Sequence, residues 1–341
     1  MIIIMKSHAP KPDIERVIAE IEKNKGLQPV PLFGTERTVI AVIGDERALD
    51  EHHIASLPGV SKVMPVLQPY KLASREARKE PTTITVGPVT IGGDEVVIMA
   101  GPCAVESDKQ MEVAAQEVKK RGGHILRGGA FKPRTGPYSF QGLGREGIEI
   151  MARAAKKHSM VTISEVMDVR DVEFVAQHID ILQIGARNMQ NFDLLKEVGK
   201  TKKPVMLKRG MSATIKEFLL AAEYILMQGN PDVILCERGI RTFEDETRNT
   251  LCIATVPIIK NLSHLPILVD PSHGTGKPHL IRPMARAAVA AGADGIMVEA
   301  HPNPIESQCD SDQALSMEDL SEMIEELGPI AKAIGRNLAT L

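Results

Sequence analysis

Eight short apolar runs punctuate the chain from Val96 onward: VVIMAG, HILRGG, MVTISE, ILQIGA, PVMLKR, VILCER, PILVDP and GIMVEA. Each reads as a buried strand, and the segments between them are long enough for one helix apiece. Spacings of about 20 to 36 residues suit β-α units, and eight such units predict a closed (β/α)8 TIM barrel of the α/β class. An open doubly wound sheet is the rival arrangement. No G-x-G-x-x-G follows the first run, and the ends of all eight runs carry Gly or polar residues, as if they converge on one mouth. Ahead of them, TITVGPVTIGG alternates around Gly87 and Pro88, which predicts a hairpin plugging the bottom of the barrel.

Residues 1–68 carry a different pattern. MIIIMK reads as a strand, and PDIERVIAEIEKNKG as a helix with Ile14, Val17, Ile18 and Ile21 on one face. LQPVPLF and TVIAVIG follow as strands, then ERALDEHHIASL as a helix and VSKVMPVL as a last strand. The order β-α-β-β-α-β predicts a small α+β, ferredoxin-like domain, a kind of unit that more often regulates or assembles than catalyses. YKLASREARKEPTT is charged and aperiodic, so residues 69–83 are expected to be a linker to a barrel domain spanning 84–341.

Composition changes this picture little. With no Trp and 3% aromatic residues, the core must be built from aliphatic side chains, as layered α/β folds allow. No apolar run approaches the roughly 20 residues that cross a bilayer, and MIIIMK is too short for a signal-peptide core, so no membrane is expected and the cytoplasm is the default compartment. Cys103, Cys236, Cys252 and Cys309 lie far apart without a C-x-x-C, which predicts unlinked thiols or a single metal ligand. A net charge of -3 argues against nucleic acid as a partner. Cations nevertheless gather after the predicted strands, and a slightly acidic chain that concentrates positive charge there is expected to bind a small, strongly anionic ligand.

The strand ends divide into two arcs. Run 1 ends at Cys103, run 7 at Asp270-Pro271-Ser272-His273 and run 8 at Glu299, with Asp310 in the loop beyond. Strand 8 pairs with strand 1 in a closed barrel, so a thiol, an imidazole and two carboxylates fall together, a donor set suited to Mn, Fe, Zn, Co or a similar divalent ion. Asp312 and His301 compete for the fourth position, and Cys309 and Cys236 are further thiols expected near the mouth. The other arc carries Arg127, Lys132, Arg187, Lys208 and Arg238. So many buried cations need an anionic partner, which is expected to be the substrate. Arg209 must face away from Lys208 and is expected to be structural. Lys132-Pro133-Arg134-Thr135 forms a second anion cradle, its backbone fixed by Pro133.

Taken together, GPCAVES, LRGGAFKPRTGPYSFQGLG, QIGARNMQN, LKRG, CERG, DPSHGTG and VEAHPNPIESQCDSDQAL resemble the 3-deoxy-D-arabino-heptulosonate 7-phosphate (DAHP) synthases of the type I, β subgroup, from about residue 85 to 336. Residues 1–68 resemble the ferredoxin-like extension that some members carry. The resemblance implies condensation of phosphoenolpyruvate with erythrose 4-phosphate, the first step of the shikimate pathway to aromatic amino acids. It implies a divalent ion held by Cys103, His273, Glu299 and Asp310. Arg127, Lys132, Arg187, Lys208 and Arg238 would hold phosphoenolpyruvate, with Gln183 in the same substrate-binding set, and Lys132, Pro133, Arg134 and Thr135 would line the aldehyde site. Lys132 is the first candidate for general acid, Glu165 for handling the water, and Asp270 joins them as a candidate catalytic group. A cytoplasmic homotetramer with Tyr or Phe as feedback inhibitor at the N-terminal domain is implied as well. The related 3-deoxy-D-manno-octulosonate 8-phosphate synthases typically carry a K-A-N-R-type loop where this chain reads Lys132-Pro133-Arg134-Thr135, which favours the four-carbon aldehyde. Relatives usually have S-D-G where this chain reads Cys309-Asp310-Ser311.

Overall fold

A computed structural model describes residues 1–34, 36–44, 49–64, 69–133, 136, 138–309 and 311–340. They form two units, one of residues 1–80 with 262–264, the other of residues 81–261 with 265–341.

In the first unit the predicted order appears as β1 (Ile2–Met5), α1 (Lys11–Glu22), β2 (Gln28–Phe33), β3 (Thr38–Ile43), α2 (Glu51–Ser56) and β4 (Val60–Met64). The sheet runs β2-β3-β1-β4 and is antiparallel. Helix α1 buries Ile14, Val17 and Ile21, the stripe expected of a 3.6-residue period, against Ile3, Met5, Ile40 and Val42. Asp50 caps α2 by accepting from the amides of His52 and His53. The segment expected as a linker departs from the prediction: Tyr70, Leu72, Ala73 and Ala77 are buried. Ala77 packs with Ile2, Ile4, Leu32 and Val39, on the sheet face opposite the helices. The segment is a run of turns, so its apolar residues are buried one by one and follow no period.

The second unit opens with the hairpin β5 (Ile84–Val86) and β6 (Val89–Ile91), turning through Gly87 at φ +55°. Among the described residues the barrel strands are β7 (Glu95–Gly101), β8 (Ile125–Arg127), β9 (Val161–Glu165), β10 (Ile181–Ile184), β11 (Val205–Lys208), β12 (Val233–Glu237), β13 (Ile267–Val269) and β14 (Gly295–Glu299). They are the eight predicted runs, all parallel, and β14 closes the barrel on β7 with Gly295 opposite Val97 and Glu299 opposite Gly101. The intervening helices are α3 (Asp108–Lys120), α4 (Gly144–Lys157), α5 (Val172–His178), α6 (Phe192–Lys200), α7 (Ile215–Leu226) and α8 (Thr255–Leu262), followed by α9 (Pro271–Thr275), α10 (Pro278–Ala290) and α11 (Met317–Ala333). A two-residue strand, β15 (Asn337–Leu338), lies beside the start of β7; it is too short for any sequence period to reveal.

Alternation along the strands decides what fills the barrel. Val97, Met99, Ile125, Ile163, Met206 and Met297 point inward and meet Ile84, Val89 and Ile91 of the hairpin in one cluster. Those three hairpin side chains are at most 2% exposed. Each stabilises the plug by about 1.5–3 kcal/mol. The hairpin thus closes the barrel at the N-terminal ends of its strands, as expected.

Candidate active site

The next inward position above this apolar layer is polar on strand after strand. Arg127 stands two residues after Ile125, Glu165 two after Ile163, Gln183 two after Ile181, Lys208 two after Met206, Asp270 two after Leu268 and Glu299 two after Met297. All six are buried. On β7 the equivalent position is Gly101, where a Cβ would lie 2.1 Å from the Arg127 carbonyl oxygen, so only glycine lets β7 and β8 approach this closely. Above the layer is a cavity of about 340 Å³ bordered by Arg127, Lys132, Glu165, Gln183, Lys208 and His273, with Pro133, Arg187 and Arg238 also on its wall. Sequence reasoning missed three more of its residues: Arg241, Arg248 and Asn249, all in the loop after β12. Their only signal was the charge of RTFEDETRNT, which reads equally well as a solvated loop.

Two of the cations already have carboxylate partners within the protein, so the expected anionic ligand has fewer charges left to balance than the sequence suggests. Arg127 Nη1 donates to Glu299 Oε1 at 3.0 Å and to the Pro102 carbonyl at 2.9 Å. Lys208 is ion-paired with Asp270. Lys132 Nζ lies 2.9 Å from Cys103 Sγ and 3.0 Å from the Cys103 carbonyl oxygen. Arg238 donates to the His273 carbonyl at 3.2 Å. For Arg127 and Lys208 the barrel supplies the counter-ion, because its inward register puts carboxylates and cations at one level. Arg187 alone of the predicted set is exposed. Burial by itself would raise the carboxyl groups of Asp270 and Glu299. His273 with Lys208 holds Asp270, and His273 with Arg127 and Lys132 holds Glu299, well below the ordinary carboxylate range.

Beside these cations, and in contact with them, lie the donors read as metal ligands. His273 Nδ1 is 2.7 Å from Asp270 Oδ2, which leaves Nε2 directed at Glu299 Oε1, 3.1 Å away. A carboxylate behind one ring nitrogen with the other facing a second carboxylate is the orientation that metal-binding histidines adopt. Cys103 is buried two residues beyond the end of β7, the next strand round, its thiol pushed well above its ordinary value by the hydrogen bond with Cys309, by burial and by Glu299. Glu299 Oε2 accepts from Gln313 Nε2 at 2.5 Å, and Gln313 Oε1 accepts from Arg248 at 2.8 Å. Among the described residues no three His, Cys, Asp or Glu side chains yet stand at metal-binding separation. In type, burial and strand position, Cys103, His273 and Glu299 fit an ion of mixed softness. Asp310, Arg134 and Thr135 lie outside the described residues. Of the competitors for the fourth position, Asp312 is exposed, and His301 turns toward Gln110 and Glu106, at 3.3 and 3.8 Å.

The remaining predicted residues separate clearly. Glu165 Oε1 is buried and has no hydrogen-bond partner among the described residues, and the same holds for Arg127 Nε. Gly185 makes room for Glu165, since a Cβ there would lie 2.0 Å from Oε1. Arg209 faces the helices, as expected, donating to Glu237 at 2.8 Å and to Thr255 at 3.1 Å. Cys236 does not reach the mouth. It packs in the apolar barrel interior, where burial pushes its thiol up to about 12.

The sequence profile of the DAHP synthetase I family matches residues 73–334, and that of the DAHP synthase ferredoxin-like domain matches residues 1–68. A phospho-2-dehydro-3-deoxyheptonate aldolase of Thermotoga maritima is 49% identical over 335 residues, covering 98% of this chain and 99% of the relative. The crystal structure of a Thermotoga maritima phospho-2-dehydro-3-deoxyheptonate aldolase (DAHP synthase) superposes with a TM-score of 0.79 at 48% identity, covering 99% of both chains. A 2-dehydro-3-deoxyphosphooctonate aldolase of Geobacter sulfurreducens is more distant, 29% identical over 266 residues, which is 72% of this chain and 97% of that one. With its barrel, its N-terminal unit and nearly its whole length matched, the chain belongs to the DAHP synthetase I family.

Proposed function

We propose that this protein is a DAHP synthase, joining phosphoenolpyruvate and erythrose 4-phosphate, with water, to give 3-deoxy-D-arabino-heptulosonate 7-phosphate and inorganic phosphate. The observation that carries the reading is the cavity where Arg127, Lys132, Lys208 and Arg238 stand beside a thiol, an imidazole and a carboxylate. Two phosphorylated anions can be held side by side there, which is chiefly work of orientation and charge stabilisation.

In the reaction, C3 of the enol phosphate bonds to the aldehyde carbon, water adds at C2, and phosphate departs with cleavage of its bond to C2. Arg127, Lys208 and Arg238, with Arg187 at the rim, bind and orient phosphoenolpyruvate, while Lys132 leads into the Pro133-Arg134-Thr135 cradle for the aldehyde. Lys132 Nζ is the proton donor to the aldehyde oxygen. Glu165 Oε1, buried and without a protein partner among the described residues, is the base that receives the proton of the water. Asp270 fixes the ring of His273 and the ammonium of Lys208. Cys103, His273, Glu299 and Asp310 would hold a divalent ion, which supplies Lewis-acid polarisation of the aldehyde when bound. The N-terminal unit is proposed to regulate, with Tyr or Phe as inhibitor, in a cytoplasmic homotetramer. In support, every catalytic candidate lies after residue 100, and a truncated Thermotoga maritima DAHP synthase matches 79% of this chain with a TM-score of 0.75.

Phosphoenolpyruvate consumption followed with each aldehyde tests the reading. Erythrose 4-phosphate should exceed arabinose 5-phosphate in kcat/KM by about tenfold or more, the discrimination expected of one unit of chain length. Equal values, or preference for the five-carbon sugar, would move the assignment to the octulosonate enzymes.

A further inference from the structure

Glu299 is gripped from two sides. Its Oε1 faces Arg127 Nη1 at 3.0 Å and His273 Nε2 at 3.1 Å, while Oε2 accepts from Gln313 Nε2 at 2.5 Å. Gln313 is 3% exposed, and its own Oε1 accepts from Arg248 Nη1 at 2.8 Å. Arg248 is fixed in turn. Its amide donates to the Thr275 carbonyl at 2.8 Å, and its stem lies against Gly276, where a Cβ would come within 2.7 Å of it. Gly276 ends α9, the helix that carries His273. Arg248, Gln313 and Glu299 come from three separate segments: the loop after β12, the turn Ser311–Gln313 and the end of β14. None of the roles proposed above uses Gln313.

We infer that Gln313 is a positioning residue: it keeps one oxygen of Glu299 turned away from Arg127, and Arg248 sets the amide orientation in which it does so. Arginine is suited to taking both oxygens of a carboxylate at once, and Arg127 Nε is buried without a partner among the described residues. A Glu299 free to rotate would be drawn onto that guanidinium with both oxygens and would have none left for an ion. Gln313 opposes the turn only while its NH2 group faces Glu299. A side-chain amide has a donor end and an acceptor end, whereas a guanidinium only donates and an ionised carboxylate only accepts. With Arg248 on one side and Glu299 on the other, a single orientation of the amide satisfies both, and removing Arg248 lets the amide turn over. Arg248 also lines the substrate cavity, so one side chain joins the cavity wall to the carboxylate. The inference rests on the reading above in one respect, that Glu299 is a ligand of the ion.

Cobalt(II), titrated into the metal-free full chain in competition with a chelating dye, tests it, with urea unfolding as a check on the fold. Gln313→Met, of similar length but with no amide, should weaken cobalt binding by about 10-fold or more. Arg248→Met should weaken it by a smaller factor, and Arg248→Lys, which can still donate to Gln313 Oε1, should recover most of that loss. Gln313→Met combined with Arg248→Met should bind no more weakly than Gln313→Met alone, because Arg248 acts through the amide; two side chains that merely stabilise the fold would give losses that multiply. The inference is overturned if the losses multiply, or if either single methionine variant, folded, binds cobalt as wild type does. Should Gln313→Met not fold, the two Arg248 variants decide, and equal binding by Arg248→Met and Arg248→Lys overturns it. A wild-type chain that binds no cobalt would remove the metal reading and this inference together, whereas tight binding unaltered by the substitutions would remove this inference alone.

Discussion

Asp270→Asn isolates the group on which both arcs of the site depend. Asp270 is fully buried; one carboxylate oxygen accepts from the His273 amide at 2.9 Å, capping α9, and the other is shared by His273 Nδ1 and Lys208. Asparagine keeps an oxygen for the cap, so the roughly 1 kcal/mol of a lost cap does not enter. It presents an amide NH2 where the shared oxygen stood, facing an ammonium and a ring nitrogen that had been donating. Removing one partner of a buried ion pair costs about 3–5 kcal/mol, because the other charge stays buried without compensation. Urea unfolding of the variant should therefore show that loss at an unchanged slope. His273 also loses what fixes its ring, so affinity for a divalent ion should fall by about 10- to 100-fold in a competition titration with a chelating dye. A variant within about 1 kcal/mol of wild type, binding the ion as tightly, would refute the idea that the Asp270 charge anchors His273 and Lys208.

The depressed carboxyls of Asp270 and Glu299 favour the folded state above the unfolded carboxyl values near 4, and that contribution is lost as pH falls through the folded-state values. Unfolding free energy should thus fall progressively below about pH 4, and Asp270→Asn should flatten the slope in equilibrium denaturation across that range. Gly185→Ala should lower kcat more than it raises the KM for phosphoenolpyruvate, since the new Cβ displaces Glu165 and leaves the cations in place; steady-state kinetics with unchanged kcat would remove Glu165 from the chemistry. Arg209→Leu should destabilise by about 3–5 kcal/mol by orphaning buried Glu237, with kcat/KM per folded molecule unaltered in a paired activity and unfolding measurement. Cys103→Ser, or wild type in EDTA, should drop to background turnover while calorimetry still detects phosphoenolpyruvate binding; full turnover of the serine variant in EDTA would defeat the metal assignment.

The barrel was legible because its strands are buried on both faces, so most appear as short, largely apolar runs, and eight of them with a helix-length segment between each admit few alternatives. The hairpin was legible from alternation about Gly87 and Pro88. What escaped was what period cannot encode. Tyr70, Leu72, Ala73 and Ala77 are buried from turns, at spacings belonging to no regular element. Arg241, Arg248 and Asn249 reach the cavity because of the path of a long loop, which no residue pattern specifies. The pairing of Arg127 with Glu299 was within reach of sequence alone, since both stand two residues beyond an apolar inward position on strands that closure brings near each other. Knowing that needs the register of each strand, and a slip of one residue reverses every side chain.

The hairpin at the base of the barrel has a kinetic meaning beyond its packing. With Ile84, Val89 and Ile91 filling the lower end, the barrel is a well with one opening, and everything that enters must leave by the same route. A molecule seated on Arg127 and Lys208 at the floor lies beneath anything held by the loop cations at the rim. Traffic is therefore last in, first out: the floor ligand must arrive before the rim is occupied, and a product fragment left on the floor cannot depart until the rim has emptied. On the proposed placement of the two substrates, an ordered sequence of arrivals and departures follows from this depth difference, with no moving gate required.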